Sequence, residues 1–149
     1  MLIEKILLLT AFASAFYHIG VDVVTERETY PGWSLLTHDN FRKLRLAHLR
    51  NLFIFFFLPG IIEIVCILIL LVLNPTMEVI ILLSVSLLLL LVNFGSSALV
   101  FAKWQQRISE EDHGPESILM QKILQTNWIR TTIVTLNGFI WFMVVLISN

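Results

Sequence analysis

Charged residues are scarce in this sequence, and cysteine is almost absent. Of the 149 residues, 14% are Asp, Glu, Lys or Arg, against about 25% in soluble proteins. The net charge of −1 gives no electrostatic basis for a nucleic-acid partner, and we expect none. A single cysteine, Cys66, excludes an internal disulfide. The sequence also lacks a Gly-rich phosphate loop and a nucleophile elbow.

Long hydrophobic runs take the place of these features, since 57% of the chain is hydrophobic. Each of four runs is long enough to cross a bilayer at about 1.5 Å per residue. We therefore predict an all-α fold, a four-helix transmembrane bundle with antiparallel neighbours, in one domain over residues 1–149. We therefore expect the chain to interact with the lipid bilayer. The predicted spans are 3–24, 52–73, 79–102 and 123–147.

The connections differ in length and character. In the polar stretch 25–51, the residues Tyr30-Pro31-Gly32-Trp33 predict a turn with interfacial aromatic rings. A basic amphipathic helix is expected to begin near Phe41 and to run into the second span. Asn74-Pro75-Thr76 predicts a short turn. The stretch 105–117, with the acidic run Glu110-Glu111-Asp112, predicts a polar loop.

The basic residues predict an orientation in the membrane. Nine of the ten Lys and Arg residues fall on the side of the two longer connections, and only Lys5 falls on the other. By the positive-inside rule, the longer loops are cytoplasmic and the short turn is extracytoplasmic. Because four spans return the chain to its starting side, both termini are expected to be extracytoplasmic. The nine residues are Arg27, Arg42, Lys43, Arg45, Arg50, Lys103, Arg107, Lys122 and Arg130.

Glu63 is the residue around which we organise the functional hypothesis. It lies near the middle of the second span, where a charge costs roughly 2.5–3.5 kcal/mol by insertion scales. Pro59, one turn earlier, predicts a kink. Glu63 therefore needs polar partners or a water-lined cavity.

Polar residues at helical spacing in the other spans supply such partners. Lipid cannot satisfy them, so we expect their faces to meet and form a polar pocket that opens toward the cytoplasm. Ser and Asn at these positions also act as hydrogen-bonding contacts between helices, worth about 0.6 kcal/mol each, and this alternative stays open. The stripes are Thr10, Ser14, His18 and Asp22; then Ser86, Asn93 and Ser97; then Asn127, Arg130, Asn137 and Trp141.

The residue types predict acid–base chemistry or ligand binding. His18 and Glu63 are candidate acid–base groups, and Asp22, one turn from His18, is expected to orient the imidazole. Arg130 is expected to hold an anionic or carbonyl group of a ligand together with Asn127. The remaining candidate ligand-binding residues are His48, Asn93, Asn137 and Trp141.

The sequence assigns no cofactor. A small metal or haem site at His18 with His48 is conceivable, but no Cys pair, Glu-x-x-His or His-x-x-x-His pattern supports it. We therefore predict no metal ligands. His38 and His113 are expected to be solvent-exposed loop residues.

Several of these residues resemble the pattern of a family of small bacterial four-helix membrane proteins without an assigned activity. The resemblance spans most of the chain, and its most specific part is the element 127–131. It implies a bacterial inner-membrane location. A distant similarity in size and span number to anthrone-oxygenase-like membrane proteins is an analogy that implies oxidation of a hydrophobic substrate. The residues that carry the resemblance are Tyr30-Pro31, Trp33, Phe41, His48, Pro59, Glu63 and Asn127-Trp128-Ile129-Arg130-Thr131.

Two functions from different classes fit these observations. The first is a membrane protein whose polar, cytoplasm-facing pocket binds a small hydrophobic ligand, with or without a chemical transformation of it. The second is an accessory subunit of a larger membrane complex or a homo-oligomer, in which the polar stripes are contacts to partners. Proton or ion conduction is a third and weaker reading, because aliphatic residues dominate the outer half of the bundle.

Overall fold

The computed structural model describes residues 2–73, 75–110 and 114–148, and that part of the chain is helical without a strand. Three short π-helical segments, Thr25–Thr29, Phe53–Phe57 and Ser97–Phe101, continue from one α-helix into the next. A 3₁₀ turn covers Gly114–Glu116. The α-helices are α1 (Leu2–Val24), α2 (Tyr30–Ser34), α3 (His38–Leu52), α4 (Leu58–Val72), α5 (Met77–Ser96), α6 (Ala102–Glu110) and α7 (Ile118–Ile147).

Four continuous helical stretches are long and apolar enough to cross a membrane. They cover Leu2–Ser34, Ile54–Val72, Met77–Glu110 and Ile118–Ile147. The prediction of an all-α fold with four apolar spans is confirmed at this level. The first and third stretches, of 33 and 34 residues, are longer than the about 20 residues that a bilayer core requires. Each of them is therefore long enough to extend beyond the apolar core of a bilayer.

Two predictions about the connections are wrong. Residues 30–33 do not form a turn, because the first stretch continues through them as α2 with Pro31 in its first turn, where a missing N–H is tolerated. Residues 105–110 do not belong to a loop, because α6 continues to Glu110. In both places burial of apolar side chains decides the backbone: Trp33 and Ile108 are fully or almost fully buried.

The basic amphipathic helix is present as α3 and begins at His38, three residues before the predicted start. His38 is accordingly helical and lies at the beginning of α3 rather than in a loop. Asn74 of the predicted short turn lies outside the described residues. So do Glu111 and Asp112 of the predicted acidic run, and His113.

The buried apolar side chains form two clusters, one toward each end of the bundle. Along α7, Met120 and Ile123 belong to one cluster, and Trp141 and Val144 belong to the other. We call them the loop-side core and the terminal-side core. The loop-side core is Tyr30, Trp33, Phe41, Phe101, Ile108, Met120 and Ile123. The terminal-side core is Leu8, Ala11, Ala15, Cys66, Ile67, Leu70, Val79, Leu83, Leu90, Trp141 and Val144.

A layer of buried polar residues separates the two cores. On α1, His18 and Asp22 follow Ala15 of the terminal-side core and precede the residues of the loop-side core. On α7, Asn127, Arg130 and Asn137 occupy the same interval. On both helices, this polar layer therefore lies between the two cores.

The polar stripe predicted for the first span is partly wrong. Thr10 is exposed and Ser14 is half-buried, whereas Ala11 and Ala15 are completely buried. The buried face of α1 thus begins with small apolar residues, which allow close packing of helices. It becomes polar only at His18 and Asp22.

Close packing at Gly60 generates a testable prediction about stability. A Cβ atom at Gly60 would lie 2.8 Å from Cε1 of His18 and would overlap the ring of Phe94. Gly60→Ala should therefore destabilise the protein by about 1–3 kcal/mol, the usual effect of overpacking. The measurement is the thermal unfolding midpoint in detergent.

Gly95→Ala is the matched control, because nothing lies within 4 Å of a Cβ atom added there. Alanine is the better helix former, so this variant should unfold at the same or a higher temperature. Equal midpoints for the two variants would contradict the close approach at Gly60.

Candidate functional site

Glu63 lies at the centre of a fully buried hydrogen-bond network. Its Oε1 accepts hydrogen bonds from Asn137 Nδ2 at 2.6 Å and from Trp141 Nε1 at 2.5 Å. The Ser86 hydroxyl donates to Asn137 Oδ1 at 2.6 Å and so fixes the orientation of that amide. The side chain of Glu63 is 0% exposed. The carboxyl group joins α4 to α7, and Ser86 joins α5 to the network through Asn137.

His18 faces the other oxygen of the same carboxyl group. Its Nε2 is 2.7 Å from the carbonyl oxygen of Phe56, which can only accept, so Nε2 carries a proton. Its Nδ1 is 3.8 Å from Glu63 Oε2. Among the described residues, neither Nδ1 nor Oε2 has a hydrogen-bond partner. The two unpartnered atoms thus face each other in the polar layer.

Arg130 and Asp22 form the second part of the layer. Arg130 Nη2 donates to Asp22 Oδ1 at 3.2 Å, and Nη1 donates to Asn127 Oδ1 at 3.2 Å. The guanidinium carbon lies 5.1 Å from the ring centroid of Phe56 and 5.0 Å from that of Phe101. Cation–π contacts of this kind stabilise a desolvated cation. Arg130 is therefore held in place by one acid, one amide and two rings.

A cavity of about 280 Å³ lies against this ion pair. Its wall is mainly apolar, with the rings of Phe55, Phe56 and Phe101 among its members. All three π-helical segments contribute to the wall, and such segments are frequent at functional sites because they displace side chains from regular helical positions. The polar residues of the wall are Asp22, Thr25, Tyr30, His48, Asn51, Ser97, Gln105 and Arg130.

Tyr30 and His48 lie on the loop side of the cavity. The Tyr30 hydroxyl accepts a hydrogen bond from Gln105 Nε2 at 2.9 Å. The His48 ring makes an edge contact with Trp33, with centroids 5.1 Å apart. Burial lowers the pKa of His48 below its usual 6.5, and the positive charge of Arg130 lowers it further. His48 is accordingly neutral at pH 7.

The structure places the candidate site residues in two adjoining groups. His18, Glu63, Asn137 and Trp141 form the buried network, while Asp22, Asn127 and Arg130 form the ion-pair group. His48 contributes to the cavity wall. Asn93 is completely buried, and its side chain has no hydrogen-bond partner among the described residues.

Sequence reasoning missed several contributors to the cavity. Phe56 and Phe101 belong to π-helical segments, which the sequence patterns did not predict. Tyr30 and Gln105 line the cavity, but the sequence analysis assigned them to connections. Phe101 follows Ser97 by four residues and lies on the same helical face, but its apolar side chain did not mark it as a member of the polar stripe. Within the described part of the chain, no group of three His, Cys, Asp or Glu side chains is arranged to hold a metal ion.

Comparison with protein-family models, with curated proteins and with solved structures found no match. The resemblance of the motifs to a small bacterial membrane-protein family therefore stays a prediction.

The lowered pKa of His48 predicts a pH dependence of stability. Between its folded pKa and 6.5, the unfolded chain binds a proton that the folded protein does not bind. The stabilisation associated with neutral His48 is therefore complete above pH 6.5 and is lost as the pH falls through the folded pKa. We expect the unfolding temperature of the wild type to fall more steeply over this range than that of His48→Gln. Parallel curves for the two proteins would contradict this assignment.

Proposed function

We propose that this chain is an integral membrane protein that binds a small hydrophobic molecule with a polar head group in the cavity beside Arg130. One observation carries the proposal: a buried guanidinium group lies between two phenyl rings at the wall of an apolar cavity. A buried cation inside a membrane protein is costly and is by default a candidate functional group. Apolar walls with a few fixed polar groups are the usual form of a small-molecule site.

The charges of the wall favour a neutral head group over an anion. Asp22 already neutralises Arg130, and His48 is uncharged at pH 7. An added anion would face Asp22 without a second cation in the described wall. A carbonyl oxygen instead needs only a hydrogen-bond donor, and Arg130 Nε has no hydrogen-bond partner among the described residues. Of the two head groups predicted from the sequence, we therefore favour the carbonyl group.

We propose ligand binding in this cavity and not catalysis. Neither His18 nor Glu63 contributes to the described wall of the cavity, so their acid–base roles stay predictions. Asp22 does line the cavity, where it fixes the guanidinium group. The accessory-subunit alternative also stays a prediction, because exposed apolar side chains such as Leu88 and Phe139 suit lipid and a protein partner equally well.

Benzophenone is a suitable probe, because it is an apolar neutral ketone that inserts into nearby C–H bonds under ultraviolet light. Irradiation of the detergent-extracted protein with benzophenone should label peptides that contain Phe55–Phe57 or Ser97–Phe101, and labelling should saturate with concentration. Peptide mass spectrometry locates the adduct. Ala98 lines the cavity, so Ala98→Phe should reduce this labelling at least about tenfold, a loss of about 1.4 kcal/mol in binding.

Leu99→Phe is the matched control. Leu99 is the next residue, is 65% exposed and does not belong to the cavity wall. Its substitution should leave the labelling unchanged. Uniform, non-saturating labelling of the exposed apolar faces in all three proteins would contradict the binding site.

We further propose that the four helices cross a bacterial inner membrane in an antiparallel manner, with the cavity toward the cytoplasm. Two contacts between α1 and α7 support the antiparallel arrangement: Asp22 meets Arg130, whereas Ile19 meets Gly138. The charge distribution supports the orientation, because nine of ten basic residues lie toward the cavity end. Both termini are then extracytoplasmic.

Fusions of reporter proteins test this orientation in bacterial cells. Alkaline phosphatase fused after the C-terminus should be active, because this enzyme folds only outside the cytoplasm. Green fluorescent protein fused after Glu110 should fluoresce, because that connection is proposed to be cytoplasmic. The opposite pair of results would reverse the orientation and would leave the cavity itself unaffected.

A further inference from the structure

Neither His18 nor Glu63 lines the cavity, and the hydrogen-bond pattern of the network around Glu63 is incomplete at one place. Asn137 and Trp141 donate to Oε1, and Phe56 accepts from His18 Nε2. Glu63 Oε1 and His18 Nε2 therefore already have hydrogen-bond partners. Within this network, His18 Nδ1 and Glu63 Oε2 have no hydrogen-bond partner among the described residues, and they face each other at 3.8 Å.

We propose that His18 and Glu63 form an intramembrane site that binds one exchangeable proton between Nδ1 and Oε2. With the proton on Nδ1, the pair is an imidazolium and a carboxylate. With the proton on Oε2, the pair is a neutral imidazole and a carboxylic acid. Transfer between these states breaks one bond to hydrogen, forms another and leaves the pair neutral overall.

The apolar surroundings of the pair explain why it holds one proton rather than none or two. Without the proton, the pair would carry a net negative charge that is 0% exposed at Glu63 and 1% exposed at His18, where an uncompensated charge is strongly disfavoured. With two protons, the pair would carry an equally uncompensated positive charge. A single proton is the only loading that leaves the buried pair without net charge.

The other ionisable groups near the pair do not replace this proton. Asp22 lies one turn from His18 on α1, but it is paired with Arg130 of α7. On α4, the thiol of Cys66 is buried one turn from Glu63. The buried polar residues described on α5 are Ser86 and Asn93, and both are uncharged. The site therefore depends on His18 and Glu63 alone.

Trp141 provides a built-in reporter for the site. Its indole N–H donates to the carboxyl group of Glu63, and a hydrogen bond to a carboxylate is stronger and shorter than one to a neutral acid. A change in proton loading should therefore shift the ¹⁵N–¹H resonance of this indole. Trp141→Phe identifies the resonance among those of the four tryptophans.

The experiment is a pH titration of the full-length protein in lipid nanodiscs, with ¹⁵N-labelled tryptophan and histidine. Over about pH 4 to pH 11, which extends past the ordinary carboxyl and imidazole values, the pair should lose its one proton in a single step, so the Trp141 indole and the His18 imidazole should shift together with one shared midpoint. Strongly coupled groups titrate as a unit. In Glu63→Gln both shifts should disappear, whereas Glu28→Gln, which alters an exposed carboxylate, should leave both in place.

Two results would overturn the proposal. One is an independent titration of His18 that persists in Glu63→Gln. The other is a Trp141 resonance of the wild type that is constant with pH or that follows a different midpoint from His18. This second result does not depend on the folding of any Glu63 variant. Neither result would affect the benzophenone site, because the cavity and the proton site share no titrating residue.

Discussion

A carboxyl group in the middle of an apolar bundle has to be surrounded by hydrogen-bond donors, and this requirement governs the packing of the chain. Glu63 obtains two donors from α7, and Ser86 of α5 fixes the orientation of one of them. His18 brings α1 to the remaining oxygen. Breaking one of the hydrogen bonds from Ser86, Asn137 or Trp141 would leave a buried polar group without its partner, which costs about 1–3 kcal/mol. One side chain therefore sets the relative positions of four helices.

The cavity lies beside a second buried charge. Arg130 requires a counter-ion and a dry but electron-rich environment, and Asp22, Phe56 and Phe101 supply them. The two rings come from π-helical segments, in which the extra residue per turn moves side chains away from the regular helical face. Residues from all three π-helical segments line the cavity at this level.

The sequence indicated the polar layer well and the connections poorly. His18, Asp22, Glu63 and Arg130 were selected because ionisable residues in apolar runs must be buried against partners, and all four are buried. Phe56 and Phe101 could not be selected in the same way, since phenylalanine is common throughout the spans and only the neighbouring guanidinium group distinguishes these two. The sequence also did not predict that the helix continues through Pro31, because proline is common both in β-turns and at the first positions of a helix.

The sequence by itself determined the helical character of the chain, its four stretches long and apolar enough to cross a membrane, and the presence of charges that need partners inside them. These features follow from local composition and helical period, because hydrocarbon excludes unpaired polar groups whatever the topology. Only the tertiary structure decided which partner each charge has, that Asp22 neutralises Arg130 while His18 faces Glu63, and that the cavity adjoins the first pair and not the second. The pairing of the charges depends on how each helix is rotated about its axis and on the π-helical turns. Local sequence does not encode the distances between residues that are far apart along the chain.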